Sequence, residues 1–263
     1  MLDKLRLDGK VAIVTGAGRH LGRAMSIALA EAGADIVAAA RTQGQLEETA
    51  QQVRARGRRC LVAPTDVTDS AQVNAMVERA VAEFSRVDIL VNNAGGATAG
   101  YAKALPDLTD DEWRVGIDTN LTSAFYCTRA VIPHLVRQGG GKIVNISSGY
   151  GLRGDPRDYV YASAKAGLIN FTRSLALAYA RDNIQANCIA PGVFPQTEQM
   201  AQFFRGGKFI PMGRLGRAEE LGPALVFLCS ELSSHMTGET LVVDGGGTAG
   251  GQAPTGLAPI IPL

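Results

Sequence analysis

The sequence has almost no excess of charge of either sign. Its 26 Lys and Arg face 25 Asp and Glu, a formal net charge of +1 over 263 residues. No general field therefore draws in nucleic acid or an anionic membrane, and a partner must be recognised at a local site. Aromatic residues are only 6%, too few for an aromatic-rich β-sandwich. The four cysteines, Cys60, Cys127, Cys188 and Cys229, lie far apart with no CxxC or Cys/His spacing. We expect four reduced thiols, mostly in the core, and no metal site. No apolar run reaches the ~20 residues of a spanning helix. The first ten residues are charged and short, unlike a secretory signal. The expectation is a soluble cytoplasmic protein.

Hydrophobic residues, at 46%, support a large core, and 31 glycines suit a fold with many tight turns. Short apolar runs at 11–14, 35–40, 60–63, 87–91, 142–146, 184–189 and 240–243 read as strands. Helical stretches are expected near 21–32, 43–56, 71–84, 111–138, 159–180 and 219–229. The strand runs are continuous in Val, Ile and Ala, as in strands covered by helices on both faces. Strict β–α alternation implies a parallel sheet with right-handed crossovers. Neither a linker nor an internal repeat divides the chain. One α/β domain over 1–263 is expected: a doubly wound, seven-stranded parallel sheet flanked by helices. The aperiodic segment 194–213 is expected to act as a substrate lid, and 248–263 is a Gly/Pro-rich tail.

Thr15–Gly22 reads TGAGRHLG, directly after the first strand and opening a helix. Glycines let backbone approach a pyrophosphate, and the helix N-terminus offers free N–H groups. Gly16, Gly18, Arg19, His20 and Leu21 are the candidate contacts; the plainer reading is a tight turn without a ligand. Where the second strand ends, an acid would hydrogen-bond a ribose 2′-hydroxyl, but the chain has Ala40 followed by Arg41. Two guanidiniums, Arg19 and Arg41, around one 2′-phosphate favour NADP(H), with NAD(H) as the alternative. They also read as two solvated arginines. Asp66, with Val67 beside it, is placed to meet an adenine edge or to serve as a turn residue. Asn93, Ala94 and Gly95 end the fourth strand at the same sheet edge.

Tyr161 and Lys165, four apart in a helical stretch, share one face. A lysine ammonium beside a phenol favours the phenolate and draws its pKa of about 10 toward working pH. Such a group gives a proton to a carbonyl oxygen or takes one from an alcohol. Taken alone, the pair also reads as structural. Ser148 ends the fifth strand, and Asn120 lies within a helical stretch that disfavours Asn. All fall at the carboxyl ends of strands, where such sheets bind ligands.

In that order and spacing, these motifs resemble the short-chain dehydrogenases/reductases over about residues 8–247. The motifs are TGxxxGxG with one change, NNAG at Asn92–Gly95, Asn120, the Ser148 position, YxxxK at Tyr161–Lys165 and the Pro191-Gly192 turn. The resemblance implies a Rossmann fold and hydride transfer between a nicotinamide and a carbonyl or secondary alcohol. Tyr161 would be the general acid/base, and Lys165 would lower its pKa and bind the nicotinamide ribose. Ser148 would hold the carbonyl, and Asn120 would support a water relay. Pro191, Gly192 and Val193 would cradle the nicotinamide, with Thr197 reaching its amide or the phosphates. It also implies a homotetramer, with 241–246 between subunits. His20 replaces a glycine of the pattern, Thr197 sits one residue later than in many relatives, and the tail is long.

Substrate identity is open among acyl thioesters, sugars, polyols, steroids and cyclic ketones. Gly96, Tyr150, Phe203 and Phe204 are candidate substrate contacts, although the lid aromatics also suit packing against the body. Arg129, Arg137, Arg173 and Arg181 are candidate carrier-protein contacts or plain solvated helix faces. The rival class is a non-catalytic NADP(H)-sensing regulatory module.

Overall fold

A computed structural model describes residues 2–96 and 100–249. Seven strands form one sheet in the order β3-β2-β1-β4-β5-β6-β7. They are β1 (Val11–Thr15), β2 (Asp35–Ala40), β3 (Cys60–Pro64), β4 (Ile89–Asn92), β5 (Gly141–Ile146), β6 (Ile184–Pro191) and β7 (Thr240–Val243). Every neighbouring pair is parallel. The helices are α1 (His20–Glu31), α2 (Gln43–Arg54), α3 (Ser70–Phe84), α4 (Asp110–Ile117), α5 (Ser123–Arg137), α6 (Tyr159–Tyr179), α7 (Glu198–Phe203) and α8 (Gly222–Cys229). This is the doubly wound Rossmann arrangement expected from the strand-helix alternation.

The unbroken apolar strands are explained by a core on each face. Ala12 and Val14 of β1 join Met25 and Leu29 of α1 and Leu225 and Leu228 of α8 on one side. Val11 and Ile13 of the same strand join Val73 and Met76 of α3 and Val131 and Leu135 of α5 on the other. Only β7, at the sheet edge, lacks a fully buried residue.

The expected helix 111–138 divides. After α4, the residues Asp118–Thr122 form a π turn, closed by the Ser123 N–H donating to the Asp118 carbonyl, and α5 follows. The cause lies in Asn120: its side-chain amide donates to the Gly116 carbonyl at 3.0 Å. That carbonyl would accept the Asn120 backbone N–H in a regular helix. The expected helix 219–229 opens with a 3₁₀ turn at Ala218–Leu221, and α8 begins with Pro223 in its first turn. The expected tail lies outside the described residues from 250 onward.

A chain of buried amides and hydroxyls crosses the middle of the sheet. Asn92 Nδ2 donates to Asn145 Oδ1 at 2.8 Å and to Thr128 Oγ1 at 3.1 Å, and Asn145 Nδ2 donates to Thr172 Oγ1 at 2.8 Å. It fixes the carboxyl ends of β4 and β5 relative to α5 and α6. Asn145→Ala strips a partner from two buried groups and is expected to destabilise by about 2 kcal/mol, lowering Tm by about 5 °C. An unchanged denaturant midpoint and Tm would show that this chain carries no stability.

Candidate active site

Strand order reverses between β1 and β4, so the loops leaving them diverge and open a cleft of about 800 Å³. Thr15 ties its two sides together. The Thr15 hydroxyl donates to the Val91 carbonyl at 3.3 Å and accepts the backbone N–H groups of Asn93 and Ala94, each at 3.0 Å. Asn93 Nδ2 returns a bond to the Thr15 carbonyl at 2.8 Å. Gly16 turns away with φ +66°, and a Cβ there would lie 2.7 Å from Asn93 Nδ2, so a side chain fits neither the backbone conformation nor the space.

The first wall of the cleft is the turn into α1, with Gly16, Gly18, Arg19, His20 and Leu21 along it. His20 stands in the left-handed region at φ +47°. Its ring bonds to the Pro195 carbonyl, while burial holds its pKa below the ordinary value. The residue that departs from the glycine pattern thus ties the nucleotide turn to the segment after β6. Arg23, which sequence reasoning passed over, braces the turn from behind by donating to the Gly18 carbonyl at 2.6 Å and to Thr49 Oγ1 at 3.1 Å.

Arg41, Asp66 and Val67 line the far end with Arg19. Among the described residues neither Arg19 nor Arg41 has a carboxylate partner at ion-pair distance. Asp66 accepts from the Thr68 backbone N–H at 3.0 Å and hydroxyl at 2.7 Å. These bonds, then Arg41, hold its carboxyl below the usual range. It is a turn residue, as one of the two sequence readings has it, and it also lines the cleft.

At the other end lie Ala94, Gly95, Gly96, Ser148, Tyr161 and Lys165. Asn120, 1% exposed, stands behind them. Its Oδ1 accepts the Gly96 N–H at 2.9 Å and its Nδ2 donates to the Gly96 carbonyl at 3.1 Å. Gly95, at φ +151°, passes so close that a Cβ would lie 2.6 Å from Asn120 Oδ1 and 3.2 Å from Lys165 Nζ. The π turn therefore aims one amide at the loop after β4.

Tyr161 enters α6 one turn after its N-cap Asp158, whose carboxylate accepts the Tyr161 N–H at 3.1 Å. Lys165 Nζ donates to the Ile146 carbonyl at 2.9 Å, and Ser147 Oγ donates to the Lys165 carbonyl at 2.8 Å. The ammonium sits 5.5 Å from the Tyr161 ring centroid. Burial pushes Lys165 down to about 8. Burial also pushes Tyr161 up, opposed by the Ser148 hydroxyl, which donates to the phenol oxygen; Asp158 and Tyr150 add to the rise. The expectation was that Lys165 lowers Tyr161. In the chain by itself, desolvation outweighs any such pull, because the ammonium faces the ring and spends a bond on a carbonyl.

Pro191 and Gly192 line the cleft beside Phe194 and Gln196. Val193 lines a smaller adjoining cavity instead. Thr197 caps α7, its hydroxyl accepting the Met200 N–H at 3.2 Å, and Gln196 occupies the cleft in its place. Phe203 is 62% exposed and meets Phe204 edge-on at 5.1 Å; Phe204 in turn faces Phe209 at 6.3 Å. Neither Phe203 nor Phe204 lines the cleft, and Tyr150 lies just outside it, half-buried. The thiols of Cys127, Cys188 and Cys229 are buried and Cys60 is partly so. Among the described residues no cluster of His, Cys, Asp or Glu could hold a metal, and no helix is long and apolar enough to cross a membrane.

The cleft has the parts a nicotinamide dinucleotide needs: a close backbone turn at Gly16, two uncommitted guanidiniums at one end, and a hydroxyl–phenol–ammonium group at the other. Residues 10–206 match the family model for the short chain dehydrogenases, and the chain belongs to that family. It is an NAD(P)-binding oxidoreductase acting on CH–OH or C=O groups. Among its relatives, the 3-oxoacyl-[acyl-carrier-protein] reductase of Escherichia coli is 38% identical over 246 residues, covering 92% of this chain and 98% of that protein. A gluconate 5-dehydrogenase from Burkholderia cenocepacia, solved with NADP and tartrate, superposes with a TM-score of 0.85 at 36% identity, covering 93% of this chain and 97% of the other. Carveol dehydrogenase from Mycobacterium avium, solved with NAD, gives 0.86 at 31%, covering 91% and 98%.

The depressed Lys165 has a thermodynamic signature. Its folded pKa of about 8 lies below the ordinary 10.5, so between those values the unfolded chain holds the proton that the folded chain has lost. Stability contributed at this site must then rise with pH across that window. Relative to Lys165→Met, the unliganded wild type is expected to gain about 3 kcal/mol from pH 8 to 10.5, read by denaturant unfolding at each pH. A flat difference would place the ammonium in a wetter setting than the structure gives it.

Proposed function

We propose that this oxidoreductase transfers hydride between NADP(H) and a carbonyl or secondary alcohol, with Tyr161 as the general acid/base. The observation that carries the reading is the Ser148 hydroxyl directed at the Tyr161 phenol oxygen, with the Lys165 ammonium buried beside the same ring. The coenzyme supplies or accepts the hydride. Ser148 holds the substrate oxygen next to the phenol; its own oxygen accepts the Tyr150 N–H at 3.2 Å, which leaves its proton to donate. Tyr161 gives its own phenolic proton to the substrate oxygen in reduction and, as phenolate, takes the proton of the alcohol in oxidation. Lys165 offers positive charge in a dry site, where charge on an oxyanion is stabilised most strongly. Asn120 bonds both the N–H and the carbonyl of Gly96, and in this reading it would support a water relay, as the family resemblance implies.

Arg19 and Arg41, exposed and with no carboxylate at ion-pair distance among the described residues, support a 2′-phosphate and hence NADP(H) over NAD(H). Leu21, Val67, Ala94, Pro191 and Gly192 supply the walls, with Val193 behind and Gln196 in front. The segment 194–213 is read as a lid, over which Phe203 and Phe204 become substrate contacts on closure. Assembly as a homotetramer is part of the proposal. It is supported by exposed apolar side chains on α5 and α6, chiefly Phe125 and the 86% exposed Leu177, and by Val242 on the edge strand. A cytoplasmic setting fits the reduced thiols. The regulatory-module alternative has no specific observation in its favour.

Tyr161→Phe is expected to lower kcat by about 10²–10⁴-fold while the dissociation constant for NADPH stays within about twofold of wild type; near-normal turnover would remove the phenol from the chemistry. Arg41→Ala is expected to weaken NADPH by about tenfold or more, the worth of a charge-assisted bond, and to leave NADH nearly unaffected in fluorescence titrations. Equal weakening of both would refute the phosphate assignment.

A further inference from the structure

Residues 149–158 run from the end of β5 to the cap of α6 and so connect Ser148 to Tyr161. This short segment carries two exposed arginines, each held by an aromatic ring. The Arg153 guanidinium lies 5.4 Å from the Tyr150 ring centroid, and that of Arg157 lies 5.7 Å from the Tyr101 ring centroid. Arg157 also lies near enough to the Tyr150 phenol for its charge to be felt there. Two acids belong to the segment, and both are buried and engaged. Asp155 accepts the Arg157 N–H at 3.0 Å and faces its side chain at 3.7 Å. Asp158 caps α6. Arg153 has no carboxylate at ion-pair distance among the described residues; its contact is the tyrosine ring.

Tyr150 joins this group to the reacting end. Its backbone N–H orients Ser148, and its phenol is near enough to Tyr161 for charge on one to be felt at the other. Burial pushes the Tyr150 phenol up, with Asp155 in the same direction and Arg153 and Arg157 opposing, so it stays a neutral donor at ordinary pH. A guanidinium stacked on a ring has lost much of its rotational freedom, and its planar fork of donors matches a carboxylate. A neutral substrate chain passing here would leave the Arg153 cation unanswered, since Arg157 already faces Asp155.

We propose that Arg153, with Arg157 and Tyr150, binds a carboxylate of the substrate, so that the reacting carbonyl or alcohol belongs to an oxo or hydroxy acid. This rests on the reading of Ser148 and Tyr161 as the reacting end. The acid group lies on the Tyr150 side of the reacting carbon, a short carbon chain away. Arg153 sets specificity and Arg157 holds Tyr150 in place, while the proton and hydride steps are unchanged.

The test uses full-length enzyme, NADPH and matched pairs differing in the acid: acetoacetate with acetoacetamide, levulinate with methyl levulinate, and a hexulosonate with the ketohexose of the same skeleton. The acid of at least one pair is expected to be preferred by about tenfold or more in kcat/KM. Arg153→Gln should collapse that ratio through KM, and Arg153→Lys should restore part of it. Preference for the neutral member in every pair, or a ratio untouched by Arg153→Gln, overturns the proposal. A failure of the underlying reading looks different: no pair turns over although NADPH binds. Calorimetry of levulinate with the NADP⁺-loaded protein then decides the acid site. Binding in wild type that is lost in Arg153→Gln supports it, and equal binding or none overturns it.

Discussion

Parallel pairing of β1 with β4 is the constraint on which the site depends. These neighbours in the sheet send their following chain segments in opposite directions, and a crevice must open at their carboxyl ends. The Thr15 hydroxyl bridges that crevice, bonding to one backbone carbonyl and two backbone N–H groups across it. Everything with chemical character is then hung on adjacent strand ends: Gly16 after β1, Gly95 after β4, Ser148 after β5 and Pro191 closing β6. Tyr161 and Lys165 come from α6, which packs against β6 and reaches the same edge. The dryness that shifts the titratable groups follows from the same arrangement, since two cores enclose the sheet up to its last residues.

What could be read from the sequence is what is local. Strand runs of Val, Ile and Ala state that both faces are covered, and the β1 alternation between two cores is the physical reason. The Gly-rich turn announces itself because only a few residues tolerate its φ values. The four-residue spacing of Tyr161 and Lys165 places both on one helix face whatever the rest of the chain does. The features that stayed hidden depend on partners far away in sequence. The π turn exists because the Asn120 amide takes a carbonyl one turn back and a loop 24 residues away. Asn in a helix hinted at it, but propensity does not say which bond replaces the regular one. His20 finds the Pro195 carbonyl, and Lys165 finds the Ile146 carbonyl, only after folding. Thr197 was the expected hydroxyl near the coenzyme. A helix begins right after it, and its oxygen is committed to the cap, a competition that Ser and Thr side chains enter wherever a helix starts. Asp158 was discoverable, since an Asp immediately before a helical run is a standard cap signal.

The electrostatics of the reacting end turn on desolvation. Without ligands, burial drives Tyr161 toward the neutral phenol and Lys165 toward the neutral amine, so both groups lean away from the charged pair that simple proximity suggests. In the proposed mechanism a phenol kept protonated is ready to give a proton, the form that carbonyl reduction needs first. An ammonium held in a dry pocket by one carbonyl is short of partners, because it has three donors. Added negative charge or hydroxyl oxygens in the cleft would satisfy it and raise its pKa. In the proposed mechanism the lysine would thereby couple occupancy of the cleft to the acidity of the phenol, since a more firmly charged cation favours a neighbouring phenolate.

The residue that breaks the family glycine pattern shows how the turn tolerates a side chain. The left-handed conformation at His20 costs a β-carbon roughly 1–2 kcal/mol, yet the same conformation swings the ring toward the segment after β6, where a carbonyl receives it. A side chain that ran along the turn would compete with the ligand for the N–H groups at the start of α1. Directed to Pro195, it instead links the Gly-rich turn to the strand-end loop that carries Gln196 and leads into α7. Movement of that loop must therefore break or carry along a bond to the nucleotide turn, so the two halves of the cleft are mechanically joined at a position where a glycine would leave them independent.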